Sequence, residues 1–184
     1  TQMRGSFINI GVYMLKICIY PDPILKQKAK KIETIDEELK NLANEMIETM
    51  HVAEGVGLAG PQVGVSKQII VVNPTGEKGE EQVYINPKIL SKKERFTDCE
   101  GCLSFPGIYG EVSRYKKIKV TAQLLTGEEK TWDATDFEAR VLQHEIDHLK
   151  GVLFVEKVDP VDQIVVEKEL KILVEKYSKQ DNNK

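Results

Sequence analysis

His144-Glu145-Ile146-Asp147-His148 is the stretch whose residue types and spacing most directly imply chemistry. It lies in a segment that reads as helical from Phe137 to Lys150, where two histidines four apart share one face, a turn apart. Both imidazoles can then bind one metal ion. Glu145 follows the first histidine and projects beside the metal, where a bound water would sit. The pattern supplies two ligands and a proton acceptor for metal-assisted hydrolysis. Its bland alternative is a wet helix face with a salt-bridging glutamate. Against that, the chain has only three histidines and two fall here.

A catalytic site of this kind wants a third protein ligand and an open position for water. Beyond Gly151 the nearest carboxylate is Glu156, with nothing around it to mark it. Cys102, in Glu100-Gly101-Cys102-Leu103-Ser104, is a better candidate. Cys99 and Cys102 also spell C-x-x-C, half a zinc knuckle or a redox pair, but no second pair accompanies them. Cys99 is read as a bystander and Cys18 as a small buried apolar residue. Further upstream lies Gly55-Val56-Gly57-Leu58-Ala59-Gly60-Pro61-Gln62, where glycines break a helix and expose backbone able to pair with a bound peptide.

These three segments, in this order, closely resemble the peptide deformylase family, over Met14 to Val158. The resemblance implies Cys102, His144 and His148 as ligands, with Glu145 moving the proton. It also implies the Gln62 amide and the Leu103 backbone N–H as oxyanion donors. It places Val56, Gly57, Gly101, Leu103, Phe137 and Val141, with His144, around the substrate, and pairs Glu100 with Arg114 to fix the cysteine loop. Asp147 lies off the ligand face, where it orients a ligand or supports the helix. The implied reaction removes the N-formyl group from the starting methionine of nascent polypeptides near the ribosome and releases formate. The implied cofactor is one divalent ion per chain, Fe(II) natively, with zinc, nickel or cobalt in preparations. The implied location is a bacterial-type cytoplasm, or else an organelle. Gly60 departs from the alanine common in the family, and a smaller residue would enlarge or loosen the loop before Gln62.

The elements that must position these groups follow from periodicity. Thr34-x-x-Glu37 is a capping-box pattern, and Ile35, Leu39, Leu42, Met46 and Met50 continue a helix to about Ala53. His51 at its end is read as a partly exposed polar residue. Ile69–Val72 is a buried strand, and Val83–Asn86 a second one that Pro87 confines to its end or an edge. Lys116–Leu125, turned by Thr126-Gly127-Glu128, returns through Lys130–Asp133 as a hairpin. Thr135-x-x-Glu138 is a second capping-box pattern, opening the histidine helix, which Gly151 stops. Asp159-Pro160 starts a last helix that packs through Ile164, Val165, Leu170, Leu173 and Tyr177. This order predicts an α+β fold, mostly antiparallel sheets around a central metal-binding HExxH helix, with a C-terminal helix.

At 184 residues, one catalytic domain over 14–178 is expected, after an appended N-terminal remnant or extension at 1–13 and before a frayed tail at 179–184. A net charge of −3 without a basic cluster argues against a nucleic-acid surface, and no apolar run is long enough for a membrane span. Three cysteines without framework spacing suit a reducing compartment. Two rivals share parts of the pattern. A zincin-type endopeptidase has the same helix motif but takes its third ligand after the helix. A non-catalytic protein with a structural metal would need a fourth protein ligand, for which only Cys99 is at hand.

Overall fold

The computed structural model describes residues 14–181, with side chains to residue 177; the expected N-terminal remnant and the last residues of the expected tail, 182–184, lie outside the described residues. One antiparallel sheet runs through the chain in simple order: β1 (Gly57–Ala59), β2 (Ile69–Val72), β3 (Gln82–Gly101), β4 (Tyr109–Gln123) and β5 (Glu129–Thr135). Helices α1 (Glu37–Val52), α2 (Asp136–His148) and α3 (Pro160–Asp181) pack against it, an α+β architecture. No helix among the described residues is long and apolar enough to cross a membrane.

β2 shows how the layers form. Its four residues are all buried because both faces of the strand are covered. Ile69 and Val71 point into a core with Leu39, Met46 and Met50 of α1. Ile70 and Val72 point the other way, to Leu142 and Ile146 of α2 and to Ile118 and Val120 of β4. A third core, around Phe105, Phe154, Val166 and Leu173, seats α3.

Several expected details differ. The second strand does not end near Pro87 but runs on to Gly101, 20 residues in all from Gln82, with Pro87 at a register shift between Ile85 and Lys88. A bulge accommodates the missing N–H. Neither capping box forms. α1 is capped by Asp36, whose carboxylate accepts from the Leu39 N–H at 2.9 Å. Thr135 precedes α2 without a side-chain cap, because Glu138 instead accepts from Trp132 Nε1 at 3.1 Å. On α3, Ile164 and Val165 face solvent and Val166 is the buried residue, while Leu170, Leu173 and Tyr177 pack inward. α3 also continues through 179–181, into the expected tail.

Every residue of α2 from Ala139 to His148 is buried. Six of those ten carry polar or charged side chains, so the helix needs internal partners nearly everywhere. Gln143 supplies part of the anchorage to β4: its Oε1 accepts from the Tyr115 N–H at 3.0 Å and its Nε2 donates to the Tyr115 carbonyl at 2.8 Å.

Candidate active site

Three elements converge. α2 delivers His144, Glu145 and His148, the end of β3 leads directly into Cys102, and a 3-10 turn after β1 (Gly60–Val63) delivers Gln62. Cys102 Sγ lies 3.3 Å from His148 Nε2, and the two histidine Nε2 atoms are 3.2 Å apart. One donor atom from each of the three residues falls within 4.8 Å of the others, the only such group of three among the described residues. A tetrahedral ion with bonds of ~2.3 Å to sulfur and ~2.05 Å to nitrogen puts its ligand atoms about 3.4–3.6 Å apart. The donor set therefore fits a single divalent ion with little adjustment. Cys99 is exposed and outside this cluster.

The histidines are aimed by a buried charge network. Glu100 Oε2 sits 3.0 Å from His144 Nδ1, which turns Nε2 toward Cys102 and His148. Arg114 grips Glu100 bidentately, at 2.8 and 2.9 Å. Its remaining bond goes to Asp147, which also accepts from Lys157 Nζ at 2.5 Å. Asp147 thus supports the helix through Arg114. Burial alone would raise the Glu100 pKa, but the hydrogen bonds from Arg114 and His144 outweigh it and hold the carboxyl well below its usual range. Burial would lower His144, yet its bonds to Cys102 and Glu100 keep it above its ordinary value. His148 is pushed below its own by burial and the neighbouring His144.

Glu145 is buried, and its Oε2 has no hydrogen-bond partner. Burial raises its pKa to about 7 against the opposing charge of His144, which poises it to exchange a proton near neutrality. Gly57 lies against it: a Cβ there would stand 2.3 Å from Glu145 Oε1. Gln62 is held through Oε1, which accepts from the Ala59 N–H at 2.8 Å, and its Nε2 lies 3.4 Å from Cys102 Sγ and 3.3 Å from Ser104 Oγ. The Leu103 N–H donates to no group among the described residues. The expected looseness around Gly60 is absent. A Cβ at Gly60 would meet the Lys67 carbonyl at 2.7 Å and the Val65 carbonyl at 2.8 Å, so glycine lets the chain close tightly before Gln62.

A cleft of about 450 Å³ opens over these groups, lined by Val56, Gly57, Gly101, Leu103, Phe137, Val141 and His144. Phe137 and Tyr109 stand at its rim, 48% and 63% exposed. β1 borders it as the outer strand of the sheet, paired among the described residues with β2 alone. His51 is remote in role, pairing with Glu81. Sequence reasoning missed Arg140, Ser104, Tyr109 and Lys157. Arg140 carried a usable signal, since it precedes His144 by four and so shares its helix face.

Residues 14–163 match the family described as Polypeptide deformylase. Peptide deformylase 1B, chloroplastic/mitochondrial, of Arabidopsis thaliana is 46% identical over 168 residues, covering 89% of this chain and 61% of that protein. The chain thus spans about three fifths of that plant relative, but 95% of the peptide deformylase of Desulfotalea psychrophila, to which it is 43% identical over 86% of its own length. Among solved structures, a plant peptide deformylase PDF1B superposes with a TM-score of 0.87 at 42% identity, covering 97% of this chain and 96% of that one. A peptide deformylase from Plasmodium falciparum gives 0.86 at 36% identity, covering 89% and 97%.

Proposed function

Because this chain belongs to the polypeptide deformylase family, whose members are metal-dependent, we propose that it hydrolyses the N-formyl group of formylmethionyl peptides, releasing formate and a free amine. The observation that carries the proposal is a three-donor cluster, Cys102, His144 and His148, with the buried Glu145 carboxylate beside it and an open cleft above. A divalent ion held there would polarise the formyl oxygen and acidify a water.

The chain's own residues account for the rest. Glu145 takes the proton of the attacking water and passes it to the leaving amine, a role worth roughly 10²–10⁴-fold. The Gln62 Nε2 group and the Leu103 N–H, on two residues that line the cleft, donate to the oxygen that becomes negative in the tetrahedral intermediate. Gln62 keeps that orientation because its other end is tied to the Ala59 N–H. Val56, Gly57, Gly101, Leu103, Phe137 and Val141 form the pocket for the methionine side chain, and the free edge of β1 pairs with the peptide backbone. Glu100 and Arg114 orient His144. The working metal is Fe(II), and the substrates are nascent chains in a bacterial-type cytoplasm or an organelle, since the relatives include both bacterial and chloroplast or mitochondrial proteins.

A closed structural site is disfavoured by the exposure of Cys99 away from the cluster, and an endopeptidase by a third donor that precedes the helix. The test is formate release from a formyl-Met peptide beside cleavage of an internal peptide substrate by the iron-loaded protein. Formate release alone is expected. Internal cleavage without formate release would replace this reading with the endopeptidase.

A further inference from the structure

We propose that Arg140 is a positioning residue of the metal centre, tying α2 to the end of β3 and so setting where Cys102 meets the two histidines. The inference rests on the reading that Cys102, His144 and His148 hold the metal. Those donors come from two elements: both histidines ride on α2, while Cys102 follows the last residue of β3. A site built across such a seam is only as accurate as the contacts that fix the seam.

Two arginines cross it in opposite directions. Arg114 reaches from β4 to Glu100 and Asp147. Arg140 reaches from α2 back to the strands. Its NH1 donates to Glu100 Oε1 at 2.6 Å, to the Val112 carbonyl at 3.0 Å and to the Asp98 carbonyl at 3.5 Å, and its NH2 to the Phe96 carbonyl at 3.3 Å. Its guanidinium lies over the Phe96 ring, 4.4 Å from the centroid. One turn apart on the helix, Arg140 and His144 thus hold the two oxygens of the same carboxylate, Oε1 and Oε2. Arg114 holds the same two oxygens from β4, so the carboxylate that faces His144 is gripped from both sides of the seam, and only Arg140 extends that grip to the β3 and β4 carbonyls.

Arg140 is buried and its Nε has no partner, and an apolar side chain would avoid that desolvation. Arg114 does not duplicate the role, because its bonds end at two carboxylates and leave the carbonyls of Phe96, Asp98 and Val112 untouched. Lysine cannot replace the fork, since a point ammonium lacks its planar spread of donors.

The experiment loads Arg140→Met, Arg140→Lys, Cys102→Ser and the parent protein with Co(II). It records the thiolate and d–d absorption bands and measures affinity against a competing chelator, with thermal unfolding in parallel. Expected are a roughly 10–100-fold weaker affinity and altered bands for Arg140→Met, with an intermediate result for Arg140→Lys. Parent-like bands and affinity in Arg140→Met, with Cys102→Ser impaired, overturn this proposal and leave the ligand reading standing. Parent-like affinity in Cys102→Ser sinks both. If Arg140→Met does not fold, Arg140→Lys decides alone, and unchanged bands there overturn the proposal.

Discussion

Replacing Gly57 with alanine adds a single methyl group and should remove most of the turnover. The backbone at Gly57 does not use the left-handed region, so alanine fits the strand conformation, and the pairing of Gly57 with Val72 is retained. The side chain is the difficulty. The new Cβ would lie 2.3 Å from Glu145 Oε1, 2.8 Å from its Cδ and 2.9 Å from its Cγ. Ordinary contact requires a retreat of about 1 Å. Glu145 sits in the buried stretch 139–148 of α2, so the carboxylate gives way by rotating its side chain and the helix stays. Misplacing a reacting group by about 1 Å costs on the order of 10²-fold, or about 2.7 kcal/mol of barrier. Glu145 is not one of the three donors. Gly57→Ala should therefore keep its metal while kcat for formate release falls about a hundredfold and KM moves little. Metal content, kcat and KM on the purified variant decide it. A kcat within about threefold of the parent would show that Glu145 either is not the proton carrier or does not need its present position. A rise confined to KM would make Gly57 a substrate contact only.

Three further outcomes are expected. Gln62→Leu should lower kcat by roughly 10²–10³-fold, the cost of one oxyanion donor, and the buried Ala59 N–H left unmet should lower the melting temperature as well; unchanged kcat would remove Gln62 from the mechanism. Stripped anaerobically and reloaded, the Fe(II) form should have the highest kcat/KM and lose it in air, because the half-exposed Cys102 thiolate and the ferrous ion are both oxidisable; a zinc form equally active and indifferent to air would refute this. Burial, with the nearby Glu138 charge, raises Tyr84 from 10.0 to about 12, so the unfolded chain loses that proton first. The stabilising contribution is therefore complete below pH 10 and fades as pH rises toward 12, and Tyr84→Phe should flatten the alkaline fall in stability seen by denaturant titration; an identical slope in the variant would assign that fall to other groups.

The helix that carries His144, Glu145 and His148 was legible because two histidines and a glutamate at fixed spacing say both what the element is and which face matters. The long β3 was not. From Lys88 to Cys99 it is polar and mostly exposed on both faces, so it lacks the alternation that marks a half-buried strand. The two capping boxes failed for local reasons that only packing reveals: Asp36 was a second acceptor two residues on, and Trp132 drew Glu138 away. On α3 the seam of Val166, Leu170, Leu173 and Tyr177 keeps a spacing of four, three and four, so the expected stripe was right from Leu170 on and wrong in its first two members, Ile164 and Val165. In the site, the Glu100–Arg114 pair came from a resemblance; helical spacing puts Arg140 on the His144 face but not its contact with Glu100, 40 residues away, and nothing in the spacing brings Lys157 to Asp147.

The burial of α2 also has a kinetic side. A helix whose stretch 139–148 is largely polar and yet without a solvent face has little reason to form by itself, since its partners, Glu100, Arg114 and the Tyr115 backbone, arrive only with β3 and β4. Helix and hairpin must then assemble as one cooperative unit, and they open as one. Amide protons of residues 139–148 should then exchange with solvent only when that unit separates, so hydrogen exchange along the stretch bearing His144, Glu145 and His148 should report the opening of helix and hairpin together.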